Sequence, residues 1–153
     1  MRIAMTGAAG LVGTALRREL TSAGYSLTLI DRRPIADCGP GETASVVDIL
    51  DPSALKERLA GCEAVIHLAA CTTDAPWPDQ ISLSVQGAVN LFEAARMSHV
   101  KRVIYASSHH VVGMHLRRAP IGNAAILKPD SRYAVGKAFG ESIGALYAYK
   151  YDM

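Results

Sequence analysis

Three glycines, Gly7, Gly10 and Gly13, interrupt the first apolar stretch of the chain, in the segment TGAAGLVG. The residues before them form an apolar run typical of a buried strand, and residues 10–22 place apolar side chains at helical spacing. A glycine turn between a strand and a helix predicts a βα unit whose helix begins with free amide groups. Such amides can hold the pyrophosphate of a dinucleotide, although a tight turn without a ligand is the alternative.

Strands and helices alternate along the rest of the chain. The predicted strands are 2–6, 26–31, 44–48, 64–70 and 102–107. The predicted helices are 10–22, 51–60, 80–98 and 130–150, with loops at 34–43, around 76–78 and at 108–129. This alternation predicts one α/β domain over residues 1–153, a Rossmann-type doubly wound parallel sheet in three α/β/α layers. We expect the strand order 3-2-1-4-5.

Composition excludes several classes of protein. Of the 153 residues, 50% are hydrophobic and 20% charged, which is enough apolar surface for a core and argues against disorder. The net charge of +2 argues against a nucleic-acid partner, and no apolar run approaches the roughly 18 residues of a membrane span. The histidines and cysteines lack metal-site spacing, so we expect no metal. Cys38, Cys62 and Cys71 indicate reduced thiols and a cytoplasmic protein.

An acidic residue ends the second predicted strand. Asp31 can accept hydrogen bonds from the adenosine ribose hydroxyls, which favours NAD over NADP. Arg32 and Arg33 favour NADP instead, because arginine pairs with its 2′-phosphate. Asp48 ends the third predicted strand and can bond the adenine amine, or it can be a solvated loop acid.

Tyr133 and Lys137 lie four residues apart and therefore share one face of the last predicted helix. A free tyrosine has a pKa near 10, so proton abstraction near neutral pH requires roughly 4 kcal/mol of phenolate stabilisation. One ammonium about 4 Å away contributes about 4 kcal/mol at an effective dielectric near 20. Ser108 follows the fifth predicted strand and can orient a substrate oxygen. These residues predict hydroxyl oxidation by hydride transfer to a nicotinamide.

The carboxyl ends of parallel strands meet at one edge of a sheet, where ligands bind. Gly7, Asp31, Asp48, Ala69 and Ser108 all follow predicted strands. We therefore expect one crevice to hold the cofactor and the catalytic side chains.

Four segments together resemble the extended short-chain dehydrogenase/reductases, the NAD-dependent epimerase/dehydratase family. They are TGAAGLVG at 6–13, HLAA at 67–70, SSHHVVG at 107–113 and YAVGK at 133–137. SSHHVVG, NLFEAAR at 90–96 and LKPDSRYAVGKAFGE at 127–141 are most similar to the uronate dehydrogenase branch. That branch oxidises C1 of a uronic acid, such as glucuronate or galacturonate, to an aldarolactone with NAD.

The resemblance implies a role for each matching residue. The catalytic residues are Ser108, Tyr133 and Lys137. The substrate contacts are Thr72, Ser108, His109 and His110, although His110 can also be a plain loop residue. Residues that would bind NAD are Gly7, Ala9, Gly10, Leu11, Val12, Gly13, Asp31, Asp48, Ile49, Leu68, Ala69, Ala70, Tyr133 and Lys137. This chain has Ser84 where the family has an asparagine, and His109 where the branch has an amide.

The resemblance also carries expectations for the whole protein. The family continues with two further strands and a C-terminal substrate lobe, so we expect this chain to correspond to the N-terminal part of a longer member. The two long helices would form a homo-oligomer, and the Gly136-Gly140-Gly144 stripe would serve either that contact or packing on the sheet. A nucleotide-sugar epimerase or dehydratase, and a non-catalytic NAD sensor, are the alternative functions.

Overall fold

The computed structural model describes residues 1–118 and 120–153. Among these residues, five strands form one parallel sheet in the order β3-β2-β1-β4-β5, which confirms the predicted fold class and strand order. The strands are β1 (Arg2–Thr6), β2 (Ser26–Asp31), β3 (Glu42–Val46), β4 (Ala64–His67) and β5 (Arg102–Tyr105).

Helices connect β1 to β2, β3 to β4 and β4 to β5, whereas residues 32–41 join β2 to β3 without a helix. The helices are α1 (Leu11–Ser22), α2 (Pro52–Leu59), α3 (Trp77–Gln80), α4 (Gly87–Met97) and α5 (Arg132–Tyr151). A π-helical segment, Ile81–Gln86, joins α3 to α4, and a 3-10 turn, His109–Val112, follows β5. No helix among residues 1–118 and 120–153 is long and apolar enough to cross a membrane.

Each face of the sheet has its own apolar core, as a sheet covered by helices on both sides requires. On one face, Leu16 and Leu20 of α1 pack against a buried cluster around Met5 and Leu29. On the other face, α2 and α4 contribute Leu55 and Leu91. Helix α5 packs beside α4 through a further cluster that includes Phe92, Ile143 and Tyr147.

Three strands differ from their predicted bounds. The third strand was expected at 44–48, but β3 begins at Glu42, because Arg17 and the Gly39 amide bind the Glu42 carboxylate. The strands expected at 64–70 and 102–107 end at His67 and Tyr105. Beyond those residues the backbone makes single sheet hydrogen bonds, from Leu68 N to Thr6 O and from Ala106 N to His67 O, and then turns into the site.

The helix predicted at 80–98 is not one regular helix. It begins at Trp77, inside the predicted 76–78 loop, because Pro78 fits the first turn of α3. It then passes through the π-helical segment before α4. The predicted 108–129 loop contains the 3-10 turn. The last helix was expected at 130–150; α5 begins after Ser131, whose Oγ accepts a hydrogen bond from Ala134 N.

Candidate active site

The glycine turn, residues 7–13, packs closely against the end of β4. A Cβ atom on Gly7, which has φ +70°, would lie 2.6 Å from Ala69 N. A Cβ atom on Gly13 would lie 2.7 Å from the carbonyl oxygens of Gly7 and Ala8. No side chain caps α1 at Gly10. No side chain therefore competes with an anion for the first amides of α1.

Asp31 is buried at the end of β2 and binds the glycine turn. Its Oδ2 accepts a hydrogen bond of 2.9 Å from Ala9 N, and its Oδ1 accepts one of 2.9 Å from Arg33 N. The Arg33 Nε atom lies 3.6 Å from Asp31 Oδ1. The Arg33 guanidinium also donates a hydrogen bond of 2.8 Å to Ala9 O. In the sequence analysis Arg33 and Asp31 favour different cofactors, but in the structure their side chains form an ion pair.

A cavity of about 560 Å³ opens beside this turn at the carboxyl edge of the sheet. Most of the residues predicted to bind NAD line it, namely Gly7, Gly10, Leu11, Val12, Gly13, Asp31, Asp48, Ile49, Leu68, Ala69 and Ala70. Thr72, predicted to contact the substrate, lines the same cavity. Ala9 lies behind the wall, where its amide holds Asp31. Lining residues that were not predicted include Ile30, Val47, Cys71, Thr73 and Leu83.

Asp48 is an exposed member of this wall. Its Oδ1 accepts a hydrogen bond of 2.9 Å from Leu50 N. The bond stabilises the turn before α2, and Asp48 is exposed in the lining of the cavity. Both sequence interpretations of Asp48 are compatible with this position.

The residues predicted to be catalytic lie outside the lining of this cavity, around the start of α5. The Lys137 Nζ lies 5.8 Å from the centre of the Tyr133 ring and donates a 2.6 Å hydrogen bond to Ala106 O. Burial lowers the pKa of Lys137 from 10.5 to about 8. The Ser108 Oγ accepts a hydrogen bond from His110 N and so begins the 3-10 turn.

Two predicted substrate contacts, His109 and His110, belong to this 3-10 turn. The His110 ring lies 6.1 Å from the Tyr133 ring in an edge-on arrangement, and the His109 ring lies 4.2 Å from that of His110. His110 Nδ1 lies 2.8 Å from Asp130 Oδ2, and Ser131 Oγ donates to the other Asp130 oxygen. The segment after β5 is thereby bound to the start of α5.

The sequence analysis missed two contacts that position the site. Asp130 pairs with His110, and Arg132 pairs with Asp74 through contacts of 2.9 to 3.2 Å. The second pair binds the loop after Thr72 to the start of α5. The acidic residue before the Ser131 N-cap was a signal for Asp130, but no local pattern indicates a pair separated by 58 residues.

His67 is a buried histidine, as expected from its place in a strand. Its Nδ1 lies 2.6 Å from Thr6 Oγ1, and burial lowers the pKa of the imidazole to about 3. Cys38, Cys62 and Cys71 are free. Over residues 1–118 and 120–153, no group of three or more metal-binding side chains is close enough to hold an ion.

The glycine stripe of α5 faces inward. Cβ atoms on Gly136, Gly140 and Gly144 would meet Ser84, Tyr105 and Phe92 respectively. The packing role predicted for the stripe is therefore the one that the structure supports.

The fold and site place the chain among known proteins. A uronate dehydrogenase from Pseudomonas syringae pv. tomato is 33% identical over 99% of this chain and 56% of its own length. An L-arabinose 1-dehydrogenase (NAD(P)(+)) from Haloferax volcanii is also 33% identical, over 99% of this chain and 63% of its own length. A uronate dehydrogenase mutant from Agrobacterium tumefaciens, complexed with NAD, superimposes with a TM-score of 0.93 at 32% identity. The matched parts are 98% of this chain and 57% of that one.

The chain thus spans little more than half the length of the uronate dehydrogenases that it matches. The profile of the NAD dependent epimerase/dehydratase family matches residues 3–153. Relatives above 30% identity, the parallel sheet and the glycine cavity agree with that match. The chain belongs to the NAD-dependent epimerase/dehydratase family.

Proposed function

We propose that this chain carries the cofactor-binding and catalytic residues of an NAD-dependent uronate dehydrogenase. The reaction is oxidation of the C1 hydroxyl of a uronic acid, such as glucuronate or galacturonate, to an aldarolactone. The observation that supports it best is the position of Tyr133, with the buried Lys137 ammonium beneath it and the Ser108 segment beside it. The similarity to uronate dehydrogenases over 99% of the chain supports the substrate class.

The cavity fits a dinucleotide. Side chains on Gly7 and Gly13 would fill the space along the turn, and the first amides of α1 face a site for a pyrophosphate. The buried carboxylate of Asp31 favours ribose hydroxyls over a 2′-phosphate, so NAD is preferred to NADP. Ile49, Leu68, Ala69 and Ala70 would form the apolar walls, with Asp48 at the adenine end. Tyr133 and Lys137, which lie outside the cavity lining, would contact the nicotinamide end of the cofactor. When bound, NAD supplies the acceptor for the hydride.

Residues of this chain would accept the proton of the substrate hydroxyl. Tyr133 removes the proton from the C1 hydroxyl as the C1–H electron pair leaves as hydride and the C1–O double bond forms. The Lys137 ammonium stabilises the phenolate. The Ser108 hydroxyl donates a hydrogen bond to the substrate oxygen and orients it. Thr72, His109 and His110 would contact the rest of the sugar acid.

The same proposal covers organisation and location. Residues 1–153 form one NAD-binding domain, and two copies associate through α4 and α5 in the cytoplasm. Because the glycine stripe packs inside the chain, the contact would use the outer face of α5, where Leu146 and Tyr149 are exposed.

The test is NADH formation, with NAD and either glucuronate or galacturonate, by a version of the protein that includes the C-terminal substrate lobe of the family. The 153 residues alone should bind NAD but turn over little or no uronate. We expect absorbance of NADH to rise with the longer protein of wild-type sequence. Tyr133→Phe should abolish the rise while leaving NAD affinity, measured by calorimetry, nearly intact. Tyr25→Phe, in the turn between α1 and β2, is the matched control and should behave as wild type.

Other outcomes identify the alternative functions. An epimerase would interconvert nucleotide sugars without net NADH formation. A sensor would bind NAD but turn over neither substrate class, and either result would contradict the proposal.

A further inference from the structure

Lys137 is a buried cation without an acidic partner. Only 3% of the residue is exposed. No carboxylate in residues 1–118 and 120–153 lies within salt-bridge distance of Nζ. Its hydrogen-bond acceptor is the carbonyl oxygen of Ala106. Removing an ammonium from water is costly, so a buried lysine tends to lose its proton unless its surroundings favour the charge. Some other group must contribute to keeping this ammonium charged.

The face of the Tyr105 ring is placed to do so. Nζ lies 4.8 Å from the ring centre, closer than the 5.8 Å to the Tyr133 ring. A cation within about 6 Å of an aromatic face is attracted by the ring quadrupole, and the attraction grows when water is excluded. Burial raises the pKa of the Tyr105 hydroxyl, so the ring acts as a neutral phenol near neutral pH.

The packing around Tyr105 fixes the ring under Lys137. A Cβ atom on Gly140 would overlap the ring, so only glycine lets α5 approach so closely. On the other sides, the His67 ring lies 5.5 Å and the Phe92 ring 6.4 Å from the Tyr105 ring. The ring is therefore held between the sheet and two helices.

We propose that Tyr105 is a positioning residue that keeps the Lys137 ammonium charged and directed at Tyr133. The inference rests on the proposed function for its role in turnover, but the contact itself does not depend on it. In this site an aromatic face and a carbonyl oxygen take the place that a carboxylate would occupy. A carboxylate there would form an ion pair with Lys137 and weaken its field on Tyr133.

Few other titratable groups surround Nζ. From β4, His67 is neutral, because burial, together with the nearby Lys137 charge, lowers the pKa of its imidazole to about 3. From α5, Tyr133 lies above Nζ, and the Glu141 carboxylate is hydrogen-bonded by Ser107 Oγ. None of these forms an ion pair with Lys137, which leaves the Ala106 carbonyl oxygen and the Tyr105 ring as the groups that favour its charge.

The experiment follows the ε-carbon of Lys137 by NMR in the full 153-residue chain labelled at lysine, as a function of pH. Loss of the signal in Lys137→Arg assigns it. We expect Tyr105→Phe, which keeps the ring, to titrate as wild type. Tyr105→Leu should lower the pKa of Lys137 by about one pH unit, which is a tenfold loss of the ammonium form above that pKa. Gly140→Ala, which displaces the ring, should lower it in the same direction.

A second readout needs no variant. A lysine above a ring face has ε-protons shifted upfield by the ring current, so Lys137 should differ from the exposed lysines in wild type. An unshifted signal, or an unchanged pKa in Tyr105→Leu, would overturn the inference. If the protein with its C-terminal substrate lobe forms no NADH, the proposed function fails while these titrations still decide the role of Tyr105. If it does, the alkaline limb of kcat should move down in pH in Tyr105→Leu and stay in Tyr105→Phe.

Discussion

The Nδ1 atom of His110 lies 2.8 Å from the Oδ2 atom of Asp130. The hydrogen bond from His110 is the main reason why the pKa of the Asp130 carboxyl lies below its ordinary value of 3.8. An ionised carboxylate only accepts hydrogen bonds, so Nδ1 carries the proton in the neutral imidazole. Under the proposed function, Asp130 would thereby leave Nε2 of His110 as the acceptor for a hydroxyl of the substrate.

Asp130→Ala should therefore raise KM for the uronate more than it lowers kcat. The expected rise in KM is about tenfold, since one hydrogen bond to a charged group contributes roughly 1.5 kcal/mol. Steady-state kinetics with glucuronate measure both constants. Asp79→Ala, an exposed acid in α3, is the control. An unchanged KM would exclude Asp130 from orienting His110.

Asp31→Ala should weaken NAD binding by about ten- to a hundredfold, because ribose hydroxyls lose a charged acceptor. It should also reduce the difference in affinity between NAD and NADP, because the charges of Arg32 and Arg33 would no longer be balanced by Asp31. It should also lower the free energy of unfolding by about 1 to 3 kcal/mol, since Ala9 N loses its acceptor. Calorimetry with both dinucleotides and urea unfolding measure these effects, again beside Asp79→Ala. Tighter binding of NADP than NAD by wild type would contradict the role of Asp31.

Lys137→Met should stabilise the chain while destroying turnover. The pKa of Lys137 falls from 10.5 to about 8 on folding, which corresponds to roughly 3 kcal/mol of unfavourable ammonium burial below that pH. We expect a gain of about 1 to 3 kcal/mol in the free energy of unfolding at neutral pH.

The gain should shrink as the pH rises from about 8 towards 10.5, because the unfolded chain then binds more protons than the folded one and wild type becomes more stable. Urea unfolding at several pH values measures it. Lys150→Met, exposed near the end of α5, is the matched control and should change little. A Lys137→Met chain less stable than wild type at neutral pH would refute this argument.

The ion pair between Arg17 and Glu42 should make stability pH-dependent. Two contacts of 2.8 and 2.6 Å join the side chains, and the hydrogen bonds from Arg17 hold the pKa of Glu42 below its ordinary 4.5. This contribution is complete above that ordinary value and is lost as the pH falls through the lowered one.

Glu42→Gln should therefore cost about 2 kcal/mol at neutral pH and much less in acid, as measured by urea unfolding. Glu57→Gln, on the exposed face of α2, is the control. A cost that stays constant down to strongly acidic pH would mean that the carboxylate charge is not what matters.

The core of the fold could be predicted because its signals are local. β1, β2 and β4 are short apolar runs buried on both faces, and the glycine turn fixes which strand meets which helix. The edge strand β3 was misplaced because it is largely exposed and its start is set by a contact to Arg17, 25 residues away. Hydrophobic spacing likewise cannot distinguish a π-helical segment from a continuous α-helix.

The candidate site likewise has one part that local sequence signals indicate and one part that they do not. Most of the residues that the sequence assigns to the cofactor line the cavity, because they lie at the carboxyl ends of strands or in the glycine turn. Tyr105, Asp74 and Asp130 were not predicted, because each acts through a residue 20 to 58 positions away, or across the sheet. Residue type and spacing carry no record of such contacts.

The π-helical segment Ile81–Gln86 also determines how α3 and α4 are rotated relative to each other about the helix axis. Before it, Gln80 bonds Thr73 O, and within it Ser84 packs against Gly136 of α5. After it, Asn90 donates a 3.0 Å hydrogen bond to the carbonyl of Ile49, in the cavity wall. Deleting one residue here would regularise the helix but rotate its two ends relative to each other by about 100°. The length of this one irregular turn, more than its composition, thus fixes the position of α5 relative to the cavity wall.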